Sequence, residues 1–70
     1  MKFIQLNTFL KLKGVADSGG EAKNLIRSGI VFLNGEEETR NKKKLFPNDI
    51  IEVKFEDEVL RFEVEEDEIK

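Results

Sequence analysis

The sequence predicts a small α+β domain in which two short N-terminal helices pack on a mainly antiparallel sheet that ends in a C-terminal hairpin. Apolar residues recur at helical spacing in the first third of the chain, and they alternate with charged residues near its end. Helices followed by strands are typical of the α+β class. The chain has 70 residues, so we expect one domain with one core over residues 1–70.

The first helix is predicted over residues 5–13. Leu6, Phe9 and Leu10 stand at positions i, i+3 and i+4, which is one face of a helix. Gly14 follows directly, as expected of a glycine that ends a helix in the left-handed conformation.

The second helix is predicted to begin after Ser18. Ser18 and Glu21 fit a capping box, in which the serine hydroxyl accepts from the third helical amide and the glutamate reaches back to the cap. Apolar residues at helical spacing follow, and Ser28-Gly29 ends the segment. The stripe consists of Ala22, Leu25 and Ile26.

Four strands are predicted after the helices. Residues 30–33 are β-branched and aromatic, and they stop at Asn34-Gly35, the preferred pair for a type I′ turn. Residues 36–40 are polar and are expected to form a solvent-facing return strand, with a loop at 41–44. Alternating apolar residues predict an acidic hairpin over 50–64, and the acidic tail 65–70 is expected to be frayed.

Composition excludes several classes of function. The chain has no Cys and no His, so the usual zinc site, a disulfide framework and a His-activated nucleophile are excluded. The acidic runs 36–38 and 65–68 lack a shaped pocket and are interpreted as solvated faces. We therefore expect no enzyme activity, no metal, no cofactor and no small-molecule substrate. No signal peptide or membrane segment is recognised, so the expected location is the cytoplasm.

Charge is unevenly distributed along the chain. The net charge of −3 alone would argue against a nucleic-acid partner. Residues 1–44, however, carry nine basic and five acidic groups, a net +4, whereas residues 45–70 carry three basic and ten acidic groups, a net −7. Binding to a polyanion depends on the field within about 8–10 Å, so a basic helical half is compatible with RNA.

Three features of the basic half are candidates for RNA contact, and each has a purely structural alternative. Lys23 and Arg27 are like charges at i, i+4, which slightly destabilises a helix; the alternative is a solvated helix flank. Gly19-Gly20 opens the second helix to close approach by a phosphate, although a flexible turn would also account for it. The lysine run 42–44, with Arg40 before it, would grip phosphates or form a solvated loop.

The span from Phe9 to Val53 resembles the S-four RNA-binding domain, the αL motif named after small-subunit ribosomal protein four. The small stand-alone bacterial members of the YaaA and YbcJ type are the most similar. Two departures are visible: Gly19 replaces an arginine common in the family, and Asn48 replaces a glycine. The matching segments are Leu-Lys-Leu-Lys-Gly at 10–14, Ser-Gly-Gly-Glu-Ala-Lys-Asn-Leu-Ile at 18–26, Gly-Ile-Val-Phe-Leu-Asn-Gly at 29–35 and Asn-Asp-Ile-Ile-Glu-Val at 48–53.

This resemblance implies a non-enzymatic protein that binds structured RNA, such as ribosomal RNA or a ribosome precursor, through the helical surface and the lysine loop. A second hypothesis is a protein–protein adaptor that uses the edge of the acidic hairpin, since an exposed strand edge can pair with a partner. The candidate RNA-binding residues are Lys11, Lys13, Ser18, Gly19, Gly20, Lys23, Arg27, Arg40, Lys42, Lys43 and Lys44.

Overall fold

The computed structural model describes residues 2–69 and contains two α-helices and two antiparallel sheets, which confirms the predicted α+β class. One sheet has the strand order β3-β2-β5-β6, and the other pairs β1 with β4. The helices are α1 (Leu6–Leu12) and α2 (Gly19–Arg27), with a short 3-10 helix at Glu66–Glu68. The strands are β1 (Ile4–Gln5), β2 (Val31–Leu33), β3 (Glu36–Glu37), β4 (Lys44–Leu45), β5 (Ile50–Lys54) and β6 (Val59–Glu63).

The hydrophobic core lies between the two helices and one face of the larger sheet. The helices contribute the apolar stripes predicted from the sequence, and the strands contribute every second residue. Phe9 of α1 meets Phe62 of β6 edge to face, with ring centroids 6.2 Å apart. The fully buried side chains include Leu6, Phe9, Leu10, Ala22, Ile26, Val31, Leu45, Ile51, Val53 and Val64.

The start of α2 follows the predicted capping box with one difference. The Ser18 hydroxyl accepts from the Glu21 N–H at 3.2 Å, as expected. The Glu21 carboxylate, however, accepts from the N–H of Asp17 at 3.4 Å, one residue before the cap. Both interactions place hydrogen-bond acceptors at the amide-rich end of the helix, where they stabilise it.

The Asn34-Gly35 turn is fastened to the start of β5 by side-chain hydrogen bonds. Both residues have positive φ, +52° and +87°, as a type I′ turn requires. The Asn34 side chain accepts from the Ile50 N–H at 2.9 Å and donates to the Asp49 carboxylate at 3.1 Å. Asp49 also accepts from the Phe46 N–H at 2.8 Å. We call this network the Asn34–Asp49 clamp, because it links two segments that are distant in sequence.

Two strand expectations are wrong in part. The polar return strand expected over 36–40 is limited to β3, because the chain then turns inward and buries Glu38, which is only 7% exposed. The loop expected over 41–44 ends one residue early, since Lys44 belongs to β4. This strand pairs with β1, in the register Ile4 to Leu45 and Gln5 to Lys44.

The acidic tail is ordered over residues 65–69, so the expectation of a frayed tail is wrong there; Lys70 lies outside the described residues. Ile69 is 8% exposed and joins the core. The Glu65 N–H donates to the Glu68 carboxylate at 3.0 Å, which closes the 3-10 turn. Glu68 also forms an ion pair with Lys13. The burial of Ile69 and the ion pair of Glu68 with Lys13 thus hold a segment whose composition favours disorder.

The Asn34–Asp49 clamp predicts a difference between two asparagine variants. Asn34→Gly keeps a residue suited to positive φ but removes the side-chain hydrogen bonds, so we expect a loss of about 1–2 kcal/mol in unfolding free energy. In a chain of this size that lowers the melting temperature by roughly 5–10 °C, measurable by circular dichroism.

Asn48→Gly is the matched control, because Asn48 also has positive φ, +77°. Its side chain forms no hydrogen bond among the described residues, so the control should be as stable as the parent or slightly more stable. Equal melting temperatures for Asn34→Gly and the parent would contradict the clamp.

Candidate nucleic-acid interface

The lysine loop, residues 40–44, is held against the start of α1 by its own backbone. The Leu6 N–H donates to the Lys43 carbonyl at 2.8 Å, and the Asn7 N–H donates to the Asn41 carbonyl at 3.0 Å. Gln5, at the N-cap position, provides no side-chain hydrogen bond. The loop carbonyls therefore take the place of a capping side chain for the unpaired amides of the first turn.

The far end of the lysine loop is fixed by β4. Leu45 is fully buried, and the pairing of β4 with β1 holds the backbone of Lys44 and Leu45. Lys44 is exposed, with its ammonium 4.8 Å from the centroid of the Phe3 ring, within cation–π range. Lys42 is exposed and Lys43 is half-buried. The lysine side chains thus project from a backbone fixed on the domain.

The near end of the lysine loop is fixed by an ion pair between Glu38 and Arg40. The Arg40 guanidinium donates to the Glu38 carboxylate at 2.8 and 3.1 Å, and the Arg40 backbone N–H adds a third bond at 3.0 Å. The hydrogen bond from the Arg40 side chain lowers the pKa of Glu38 although burial opposes this. The nearby charges of Arg40 and Lys43 lower it further.

The same ion pair changes the role of Arg40. Its side chain remains 70% exposed, but Glu38 balances its charge and raises the pKa of the guanidinium. The sequence predicts Arg40 as an RNA-binding cation but does not predict its pairing with Glu38. The signal was present: in extended backbone, residues two apart share one face, which brings Glu38 and Arg40 together.

The first turn of α2 is open to approach from outside. Ser18, Gly19 and Gly20 are all exposed. A Cβ added at Gly19 would meet no atom within 4 Å, and one at Gly20 would meet only the Ser18 hydroxyl, at 3.9 Å. Neither glycine has a positive φ, so the fold itself does not require them. Lys23 and Arg27 are exposed further along the same helix.

The two lysines at the end of α1 have different environments. Lys11 is exposed on the last turn. Lys13 is half-buried: it pairs with Glu68, and its ammonium lies 5.5 and 6.0 Å from the centroids of the Phe9 and Phe62 rings. Burial would raise the pKa of Glu68, but hydrogen bonds from Lys13 and from the Glu65 N–H, with the charge of Lys13, outweigh it and lower that pKa. Lys13 thus holds the tail.

The candidate cations lie on α1 itself or on segments that contact it. This helix has seven residues and is about 10 Å long, so the lysine loop at its start and Lys11 at its end lie within roughly one Debye length. Helix α2, with Lys23 and Arg27, packs directly on α1. Across residues 2–69, ion pairs balance the charges of Lys13 and Arg40 and of none of the other candidates.

Two kinds of feature are absent from residues 2–69. No group of three or more Asp or Glu side chains is arranged to hold a metal ion in this part of the chain. Neither α1 nor α2 is long and apolar enough to cross a membrane.

The chain belongs to the S4 domain family, whose model matches residues 1–61. The resemblance to the S-four RNA-binding domain is thereby confirmed. The chain is also similar to a protein of Bacillus subtilis (strain 168) named "Probable ribosome maturation protein RlbA". The two are 38% identical over 52 residues, which cover 74% of this chain and 73% of the relative.

The lowered pKa values of Glu38 and Glu68 predict a loss of stability in acid. Carboxylates whose pKa is lower in the folded than in the unfolded chain stabilise the fold fully above the unfolded value, near 4.5. That stabilisation is lost as the pH falls through the folded pKa. Urea unfolding between about pH 6 and pH 3 should therefore show a falling free energy, with a shallower slope for Glu38→Gln.

The control for this experiment is Glu36→Gln, since Glu36 is exposed on β3. Glu36 has no ion-pair partner among residues 2–69, so Glu36→Gln should alter the profile less than Glu38→Gln does. Parallel profiles for Glu38→Gln and the parent would show that the Glu38–Arg40 pair does not stabilise the fold.

Proposed function

We propose that this protein binds structured RNA without catalysing a reaction, and that its target is ribosomal RNA or a ribosome precursor in the cytoplasm. The observation that carries the proposal is a set of exposed lysines on a loop whose backbone is bonded to the start of α1. Membership of the S4 domain family and similarity to a protein named for ribosome maturation support it.

The proposed contacts are mainly with phosphates. Lysines that neutralise phosphates release counterions and supply affinity that does not depend on base sequence. Base readout has little support, because the rings of Phe9 and Phe62 are packed together and Phe3 and Phe32 each have a lysine ammonium over the ring. Selectivity would come from shape, since the lysine loop and α2 present cations at spacings set by the fold.

The open first turn of α2 would form the second part of the proposed RNA-binding side, in addition to the lysine loop. Free N–H groups at a helix N-terminus attract phosphate, and residues without side chains let the RNA backbone approach closely. Gly19 and Gly20 fit this role because no contact inside the chain explains them. The exposed side chains of Lys23 and Arg27 lie further along the same helix and would extend the contact.

Charge distribution would orient the RNA. Residues 45–70 carry a net charge of −7, and they form the β5–β6 hairpin and the tail that binds Lys13. An RNA is repelled from these surfaces and attracted to the side formed by α2 and the lysine loop. With Lys13 and Arg40 ion-paired, the proposed site relies most on Lys23, Arg27 and residues 42–44.

Reversing the charge of two lysines in the lysine loop tests the proposed RNA-binding site, and the same change on the sheet is its control. Lys42→Glu with Lys44→Glu should weaken binding to a labelled, folded ribosomal RNA fragment at least tenfold. We expect it to lower the slope of log affinity against log salt by about two, roughly one for each phosphate contact. Fluorescence anisotropy over a range of salt concentrations measures both effects.

The control is Lys54→Glu with Arg61→Glu on the sheet, which changes the net charge equally. It also removes one cation–π contact, since Lys54 lies over Phe32 as Lys44 lies over Phe3. The control should bind within about twofold of the parent if local phosphate contacts dominate. Equal losses in the two double variants would refute a localised binding side.

Alanine substitutions at Gly19 and Gly20 should have opposite effects on stability and on RNA binding. The added methyl group would lie in open space at Gly19 and in ordinary contact with the Ser18 hydroxyl at Gly20, so each substitution should raise the unfolding free energy by about 0.5–1 kcal/mol. Each should also weaken RNA binding, because a methyl group would hold the phosphate backbone away from the helix. Stabilised variants with undiminished RNA affinity would identify Gly19-Gly20 as a turn feature only.

A further inference from the structure

Strand β6 forms a free edge of the larger sheet, next to β5. The hydrogen bonds at the two ends of the β5–β6 ladder show which backbone groups of β6 face β5. The Phe55 N–H donates to the Glu58 carbonyl and the Val64 N–H to the Asp49 carbonyl, both at 2.8 Å and in the register of the ladder. Hydrogen-bonded pairs alternate in an antiparallel ladder, so residues 58, 60, 62 and 64 face β5.

The outward backbone groups of β6 therefore belong to Val59, Arg61 and Glu63. Within the described chain, none of their N–H or carbonyl groups forms a hydrogen bond outside the ladder. All three residues are exposed, and Val59 is an exposed apolar residue at 55%. The opposite edge of the sheet, β3, is only two residues long. Strand β6 is thus the longest row of unpaired backbone groups on the larger sheet.

Both ends of this edge carry negative charge that the described chain does not balance. The turn before β6, residues 56–58, consists of Glu, Asp and Glu, all exposed. Residues 65–67 after β6 are Glu, Glu and Asp, also exposed. Across residues 2–69 the only ion pairs are Lys13 with Glu68 and Arg40 with Glu38. The edge is therefore preceded by three carboxylates and followed by those of Glu65 and Glu66, none of which has a cationic partner among these residues. Asp67 lies beside residues of β1 and α1.

We propose that the β6 edge binds an extended, lysine- or arginine-rich segment of another protein by strand addition. Backbone pairing to Val59, Arg61 and Glu63 supplies the register, and basic residues at the two ends of the segment contact the carboxylates of 56–58 and of 65–66. The β6 edge spans about 17 Å, which is the length of five extended residues at the centre of the bound segment.

Charge selects this occupant over the alternatives. A second copy of the chain would bring two acidic hairpins together, and like charges at an interface oppose association. RNA is excluded by the same charge. The site does not depend on the RNA-binding side, so the protein would join a basic protein segment to a structured RNA.

The test uses the full chain and a fluorescent eleven-residue peptide with three lysines at each end and alternating Val and Thr at its centre. We expect anisotropy to show binding that weakens with salt. A peptide with Glu in place of every Lys should not bind. A peptide with Pro at its centre should bind at least tenfold more weakly, because it loses a backbone donor.

A pair of protein variants tests the same edge. Arg61→Pro removes an N–H that faces outward and is no part of the β5–β6 ladder, a place where proline is tolerated. It should bind the lysine peptide at least tenfold more weakly than the parent. Arg61→Ala removes the same charge, leaves the N–H, and should bind as tightly as the parent or more tightly.

Several results would overturn the inference. Equal binding of the central-Pro and parent peptides would show attraction by charge alone, without strand pairing. Absence of binding would show that the charges only protect the edge from aggregation. Self-association in sedimentation that Arg61→Pro abolishes would assign the edge to a second copy. RNA affinity, measured in parallel on Arg61→Pro, should be unchanged, which separates this inference from the proposed function.

Discussion

The fold of this domain depends on two hydrogen bonds between the start of α1 and the lysine loop. Helix α1 begins without a side-chain cap, and its first amides donate instead to the carbonyls of Lys43 and Asn41. Unpaired amides at a helix end are costly when buried, so the helix holds the loop in place. The loop carbonyls in turn accept the hydrogen bonds that the first amides of α1 need. These carbonyls face α1, and the exposed side chains of Lys42 and Lys44 are left for a ligand.

Further contacts on each side of the lysine loop make this arrangement rigid. Glu38 and Arg40 pair where the loop begins, and buried Leu45 closes it in β4. The Asn34–Asp49 clamp joins the β2–β3 turn to the entry of β5, so the sheet that supports the helices has a fixed register. In the proposed complex with RNA, a loop backbone that is already held in place would lose less conformational entropy than a free loop would.

Local signals in the sequence predicted most of the fold. Both helices followed from apolar spacing and from Ser18, and the type I′ turn followed from Asn34-Gly35. Strand β4 could not be predicted, because it is two residues long and depends on pairing with β1. The order of the tail also depends on distant contacts: Ile69 enters a core formed by other elements.

The candidate site also depends in part on contacts between residues that are distant in sequence. Lys42, Lys44, Lys23 and Arg27 are exposed, as their positions outside the apolar stripes predict. The ion pair of Lys13 with Glu68 joins residues that are far apart in sequence, and only the folded chain brings them together. Two of the candidate cations therefore have a structural role that composition and charge counting could not separate from binding. The acidic half is likewise not a uniform surface, since its tail is packed against α1.

A titration of the ¹⁵N-labelled protein with a structured ribosomal RNA fragment, followed by amide chemical shifts, shows whether the lysine loop and α2 contact RNA. The shifts should change at Gly19, Gly20 and residues 42–44, while the amides of β6 keep their positions. Changes confined to the β5–β6 hairpin, with the lysine loop and α2 unaffected, would contradict the proposed RNA-binding side.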